Sequence, residues 1–254
     1  MRVEVHFLPD HLEVIRGRVC LVVDVLRATS TIVALFEAGA ARVLLAGNHE
    51  TALRLRAARG GVLIGEEVGR TEAAPGCDFA PSPTLVLGQD FRGRDVIFFT
   101  TNGTVAIQRT WQAAPASVRV ACLANLGAAA AAAVEEAAAG RCDLAVVCAG
   151  RRSSRRFALD DAYCAGILVE RILREAAARD LDARAEDGAA AARRIALGFA
   201  TPEEALRGSA TGLMLGADGQ ARDIAWCART DWSRIVPIVR PSAEGLLLAT
   251  EPAC

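Results

Sequence analysis

Residues 22–32, VVDVLRATSTI, pass from a buried strand into a helix, and on that one corner they carry Asp24, Arg27, Thr29, Ser30 and Thr31. The N-terminus of a helix offers unpaired N–H donors and a partial positive charge, so a corner of this kind can bind an anion. Hydroxyls and a guanidinium add donors suited to phosphate or sulfonate. A carboxylate at the strand end, Asp24, suits Mg²⁺ as a hard oxygen ligand. Helix capping by Thr29 or Ser30 with an Arg27–Asp24 ion pair is the alternative reading of the same residues.

Two further junctions use the same vocabulary. In FFTTNGT a buried strand ends in Thr100, Thr101, Asn102 and Gly103, and a helix follows. Asn-Gly permits positive φ, so successive N–H groups can converge on an anion, or the segment can be an ordinary capped turn. In VVCAGRRSSRRFALDDAYCAG a strand is followed by four arginines in six positions, 151 to 156, and then by Asp160 and Asp161 at a helix start. The arginines can clamp a dianion or form a solvated loop, and the aspartates can cap the helix or reach a metal. Glu66 follows a short strand, and Asp78 lies in GCDFAPSP; either acid can reach the same metal. Arg229 can meet an anion or pair with Asp231 or Asp223.

Ligands of open α/β sheets bind at the carboxyl ends of the strands. If the three junctions share one pole, they combine anion sites with several carboxylates. That set fits metal-assisted attack of water on a phosphate ester, with Arg and N–H groups stabilising transition-state charge. The sequence contains no Lys, GxGxxG or Ser–His–Asp order, so anion binding falls to Arg and backbone. The residues after Asp24, VLRAT, lack a second Asp two positions on, which favours direct water attack over a phosphoenzyme.

The elements that must position these residues are legible as alternating runs. Near-continuous apolar stretches at 3–7, 19–25, 42–46, 62–64, 95–100, 119–122, 144–148 and 235–239 predict strands covered on both faces. Helical stretches are expected at 30–37, 49–58, 104–111, 127–139, 160–179 and 184–198, with another opening at Thr201-Pro-Glu-Glu. Such alternation gives right-handed βαβ units and a mainly parallel or mixed sheet. One α/β domain over the 254 residues is expected, with a helical segment near 175–220 as a possible cap. With 52% hydrophobic but only 5% aromatic residues, the core must be aliphatic. A net charge of −1 argues against nucleic acid or an acidic membrane as partner. No signal or membrane-spanning pattern is present, and eight scattered cysteines without CxxC suit a reducing compartment, so a cytoplasmic location is expected, with a homo-oligomer left open.

Together the blocks VVDVLRATSTI, GEEVGR, GCDFAPSP, TTNGT, VVCAG…FALDDAYCAG and DIAWCARTDWSRIVPIV resemble the 2-phosphosulfolactate phosphatase family, in order and over nearly the whole chain. The resemblance implies a three-layer α/β/α fold. It also implies Mg²⁺-dependent hydrolysis of 2-phospho-3-sulfolactate to 3-sulfolactate and phosphate, a step toward coenzyme M. It carries Asp24, Arg27, Thr29, Ser30, Glu66, Asp78, Thr100, Thr101, Asn102, Gly103, Asp160, Asp161 and Arg229 onto family blocks. With the physical reading, Asp24, Glu66 and Asp160 are expected at the metal, and Asp24, Arg27 and Asp161 in catalysis. Thr29, Ser30, Thr100 to Gly103 and Arg229 are expected at a small anionic phosphate ester. GCDFAPSP has Ala80-Pro81 where the family has Gly-Asn, and RRSSRR replaces a shorter Gly-containing turn. A different phosphorylated hydroxy acid as substrate, or a non-catalytic anion sensor, are the competing readings.

Overall fold

A computed structural model describes residues 1–66 and 71–250; Glu67, Val68, Gly69 and Arg70 of the GEEVGR block, and Cys254, lie outside the described residues. The chain runs β1 (Arg2–His6), β2 (Val19–Val23), α1 (Ala28–Glu37), β3 (Arg42–Leu45), α2 (His49–Arg59) and β4 (Val62–Gly65). Then come α3 (Pro83–Val86), β5 (Asp95–Phe99), α4 (Gly103–Gln112), β6 (Ser117–Ala121), α5 (Leu126–Gly140) and β7 (Leu144–Cys148). It finishes with α6 (Leu159–Ala178), β8 (Arg184–Ala185), α7 (Asp187–Leu197), α8 (Pro202–Gly208), α9 (Ala210–Ala217), α10 (Ala221–Cys227), β9 (Ile238–Ser242) and β10 (Gly245–Ala249).

The strands form one mixed sheet in the order β4-β5-β3-β10-β9-β6-β2-β7-β1-β8. Its central strand shows why the apolar runs are unbroken. In β2, Val19, Leu21 and Val23 enter a core shared with α5, α6 and α7, whereas Cys20 and Val22 enter one shared with α1 and α4. β7 divides its side chains the same way. A strand with helices on both faces has no solvent side, and alternation disappears. The result is helices on sheet on helices.

Two parallel blocks make up the sheet, β4-β5-β3 and β6-β2-β7-β1-β8, and the β9–β10 hairpin sits between them, antiparallel to both β3 and β6. Laid flat, β5 would therefore run opposite to β2. From β2 to β5 there are five steps in the strand order. At about 20–25° of twist per step, they rotate the strand direction by roughly 110°, enough to swing the exit of β5 toward that of β2.

The sequence reading expects one last strand at 235–239; the chain instead forms the hairpin. Pro241 is tolerated in β9 because only Ile238 of that strand is registered on β6, leaving the proline's face without a ladder to break. A second difference lies at 184, where a helix start is expected. There Arg184 and Glu186 donate backbone N–H groups to Met1 and Val3, making the short β8 before α7 begins. The helical segment foreseen near 175–220 is occupied by the end of α6 and by α7 to α9. Among the described residues no helix is long and apolar enough to cross a membrane.

Candidate active site

The β2–α1 corner is held by its own hydroxyls. Thr29 Oγ1 donates to the Asp24 carbonyl at 2.8 Å and accepts the Asp24 N–H at 3.1 Å. Ser30 Oγ donates to the Val25 carbonyl and Thr31 Oγ1 to that of Arg27, each at 2.8 Å. All three side chains are buried. Their protons therefore fix the turn, and in doing so fix Asp24, whose Oδ1 faces the Ala28 N–H at 3.4 Å.

The turn after β5 meets this corner. A methyl group added to Gly103 would lie 2.4 Å from the Ala28 methyl and 2.8 Å from Asp24 Oδ2, so only glycine lets α4 begin against the carboxylate. Thr100 and Thr104 lock the turn reciprocally: the Thr104 N–H donates to Thr100 Oγ1 at 3.2 Å, and Thr104 Oγ1 to the Thr100 carbonyl at 2.7 Å. Thr101 and Asn102 stay half-exposed beside it.

The β7–α6 junction closes on the other two. Asp161 accepts the Val25 N–H on Oδ1 and the Gly150 N–H on Oδ2, both at 3.0 Å, and so ties the exit of β2 to the exit of β7. Asn102 Oδ1 accepts the Ser154 N–H at 3.1 Å, which joins the TTNG turn to the arginine loop. Asp160 is buried, and its Oδ1 has no hydrogen-bond partner. A buried acceptor left unmatched is costly, and in native proteins it calls for an explanation.

Electrostatics mark the same place. Burial, then the charges of Glu66 and Asp160, push the Asp24 carboxyl up to about 8. Burial raises Glu66 to about 7, against the pull of Arg27. It raises Asp160 to about 6, with Ser209 and the charge of Arg151 opposing. Asp161 is also held well above the usual carboxylate range by burial and by the charges of Asp160 and Asp24, while the Val25 and Gly150 N–H groups act the other way. Acids gathered at such cost to their ionisation are a common signature of functional sites.

Arg27 is buried, with its side chain 2% exposed. Its partner is neither Asp24 nor an open anion site. Nη1 donates to Asp223 Oδ2 at 2.8 Å and to Gln220; Nη2 donates to the Thr71 carbonyl at 2.8 Å and stands 3.5 Å from Glu66. Asp223 in turn accepts from Ser82 Oγ at 2.8 Å and Thr84 Oγ1 at 2.5 Å. Thr71, Phe79, Ser82, Gln220 and Asp223 line a cavity of about 430 Å³, so Arg27 links that cavity's wall to Glu66.

Of the residues singled out in the sequence, Glu66, Asp160, Asp161 and the Thr100–Gly103 turn are thus gathered around Asp24 through contacts or charge. Thr29 and Ser30 are at the site but turned into the corner itself. Arg229 is exposed and stacks over Trp232, 5.7 Å from the ring centroid. Asp78 pairs with Arg56 at 2.8 Å and accepts the Leu63 N–H at 2.9 Å, covering the edge of β4. Asp223 and Ser154 are the residues whose part in the site the sequence did not disclose. Asp223 was visible only as a partner for Arg229, and Ser154 only as a spacer between arginines. Among the described residues, no group of three or more His, Cys, Asp or Glu side chains is arranged to hold a metal ion.

Chemically, the arrangement offers the buried Asp24 carboxylate against the start of α4, further acids whose charges bear on it, and two half-exposed residues, Thr101 and Asn102, in the adjoining turn. The family model described as 2-phosphosulpholactate phosphatase matches residues 6–242. A Deinococcus radiodurans protein named "Probable 2-phosphosulfolactate phosphatase" is 40% identical over 246 residues, covering 96% of this chain and 95% of the relative. Proteins of the same name from Thermus thermophilus and Thermotoga petrophila are 37% and 34% identical, over 94% and 87% of this chain and 95% and 88% of their own lengths. A family match of that extent, with relatives aligned nearly end to end, means that this chain belongs to the 2-phosphosulpholactate phosphatase family.

Proposed function

We propose that this protein is a Mg²⁺-dependent phosphatase that hydrolyses 2-phospho-3-sulfolactate to 3-sulfolactate and phosphate by direct attack of water. The substrate is taken from the names of the family and its relatives. The observation that carries the chemistry is the Asp24 carboxylate at the N-terminus of α4, where Gly103 leaves no side chain between them and where the charges of Glu66 and Asp160 bear on it.

The residues fit Mg²⁺ better than a metal that needs a protein cage. Mg²⁺ keeps several waters and takes one or two carboxylates together with oxygens of the substrate. Asp24, fixed by the corner, and Asp160, with its unpartnered Oδ1, would hold it. When bound, Mg²⁺ supplies Lewis-acid polarisation of a phosphoryl oxygen and relieves the mutual repulsion of these acids. Backbone N–H groups at the start of α4 other than that of Thr104, which is held by Thr100 Oγ1, bind the remaining phosphoryl oxygens with Thr101 and Asn102. Glu66, raised to about 7 and steadied by Arg27, takes the proton of the attacking water; a carboxylate poised near neutrality is suited to that work. Asp161 keeps the exits of β2 and β7 in register so that the donors stay aimed.

Phosphate release from 2-phosphosulfolactate, with Mg²⁺ and with EDTA, tests the reading. Release that needs Mg²⁺ is expected. Faster turnover of another phosphorylated hydroxy acid would replace the substrate and keep the chemistry. Ester binding that stabilises the protein without any hydrolysis would replace the phosphatase by an anion-binding sensor.

A further inference from the structure

Four arginines in the six positions 151–156 would ordinarily be a solvated loop. Here the loop has a fixed shape and fixed anchors. It closes on itself through the Arg151 N–H donating to the Arg156 carbonyl at 2.9 Å and the Arg156 N–H donating to that of Arg151 at 3.0 Å. Arg152, Ser153 and Ser154 all take left-handed conformations, with φ of 53°, 57° and 59°. Non-glycine residues rarely adopt that region, so three in succession imply that the surroundings impose it. The surroundings are the site. Ser154 is fully buried and donates its N–H to Asn102 Oδ1, and the preceding Gly150 donates to Asp161.

The cations on this frame are free. Among the described residues, Arg152, Arg155 and Arg156 are exposed and have no acidic partner. Arg151 is half-buried; its Nε donates to the Phe157 carbonyl at 3.2 Å, which orients the guanidinium, and its charge bears on Asp160. By contrast Arg27, deeper in the site, already has Asp223 and Glu66 as partners.

We propose that Arg151, within the positive field of Arg152, Arg155 and Arg156, is the subsite for the substrate's sulfonate, carried on the carbon next to the phosphate ester. This rests on the phosphatase reading for the identity of the substrate. A sulfonate stays charged at every working pH and offers three acceptor oxygens. A guanidinium meets them with two parallel N–H donors, as it does a carboxylate. The loop thereby selects among phosphate esters, and the effect of the Arg151 charge on Asp160 is common to both esters, so it cancels in the ratio of their KM values.

The test uses the full-length protein and two ester substrates, 2-phosphosulfolactate and 2-phospholactate, which lacks the sulfonate. Its readout is the ratio of their KM values in wild type, Arg151→Met and Arg151→Lys. A charge-assisted contact predicts a wild-type preference of roughly tenfold or more for the sulfonate ester. That preference should collapse toward one in Arg151→Met and fall only partly in Arg151→Lys. A ratio unchanged in Arg151→Met overturns the proposal. Binding of 3-sulfolactate and of lactate, measured by calorimetry, gives an arm independent of turnover. If wild type releases no phosphate, the phosphatase reading fails, while the subsite stands or falls on the calorimetric ratio. Equal affinity of wild type for the two acids, or a preference that survives Arg151→Met, overturns the subsite itself.

Discussion

Replacing Asp223 by Ala isolates the pair that anchors the site from behind. Arg27 and Asp223 are each 2% exposed at the side chain and 2.8 Å apart. Breaking a buried ion pair from one side costs about 3–5 kcal/mol, because the remaining charge is left without water or counter-charge. Arg27 keeps Glu66 at 3.5 Å, and Glu66 is 18% exposed, so some compensation survives. Against that, Ser82 and Thr84 lose their common acceptor. The expected loss is therefore at the low end, about 3 kcal/mol. For a chain of this size it corresponds to a fall in Tm of roughly 6–12 °C. Urea denaturation should show a lower midpoint at unchanged slope, the sign of altered stability without an altered denatured state. The double variant Arg27→Met/Asp223→Leu should recover much of the loss, since an apolar pair of similar volume often replaces a buried ion pair without penalty. A loss below about 1 kcal/mol for Asp223→Ala would refute the reasoning, because a desolvated guanidinium stripped of its closest partner cannot be that cheap.

Four other outcomes are expected. In EDTA, stability should fall as pH rises from about 4 to about 8, since the folded protein holds protons on Asp160, Glu66 and Asp24 (about 6, 7 and 8) that the unfolded chain releases near 4. Melting curves at pH 5, 6.5 and 8 read this directly, and a Tm that climbs over that range contradicts it. Asp24→Asn should abolish Mg²⁺-dependent turnover and yet raise Tm at pH 8 without metal, because it removes one charge from a group of buried acids; full activity at saturating Mg²⁺ would show that Asp24 is no ligand. Gly103→Ala should cut turnover strongly, as its methyl would sit 2.8 Å from Asp24 Oδ2, and wild-type kinetics would mean that α4 and the corner move apart freely. Gly166→Ala, whose methyl would meet the Ala192 carbonyl oxygen at 2.1 Å, should destabilise by about 1–3 kcal/mol through forced separation of α6 and α7, as chemical denaturation would report.

What the sequence made legible was local. β2 and β7 are readable because strands covered on both faces lose alternation, and the corners at Asp24 and TTNG because a strand end, a turn residue and a helix start fall within a few positions. What it hid was distant or directional. Asp223 lies 196 positions from Arg27, and no local pattern joins them. Thr29 and Ser30 have the right chemistry for an anion, but hydroxyl direction is set by which carbonyls the turn exposes, and here those carbonyls are Asp24 and Val25. Arg229 sits in a family block, yet Trp232 three residues later offers its face, and the guanidinium lies over it. The β9–β10 hairpin is hidden in the sequence because a proline such as Pro241 ordinarily breaks a strand, and only the unladdered side of β9 accommodates it.

These directions have a consequence for how an anion is read. At the β2–α1 corner the hydroxyls hold the backbone and the guanidinium holds Asp223 and Glu66, so the residues richest in donors serve to immobilise acids. Immobilisation is needed because the charges of Glu66 and Asp160 oppose that of Asp24; a looser corner would let Asp24 turn away or bond elsewhere. Donors that remain for a substrate are then the α4 N–H groups, Thr101, Asn102 and the arginines of the β7–α6 loop. The first three belong to the turn that brings Gly103 against Asp24 and, on the proposed reading, suit the group being hydrolysed. The loop is joined to Asn102 through Ser154 and, on the proposed reading, suits a group that is recognised and left intact. On the proposed reading, a site divided in this way would take the phosphate and the sulfonate of one ester on either side of Asn102, with rigidity supplied by one corner and selectivity by another.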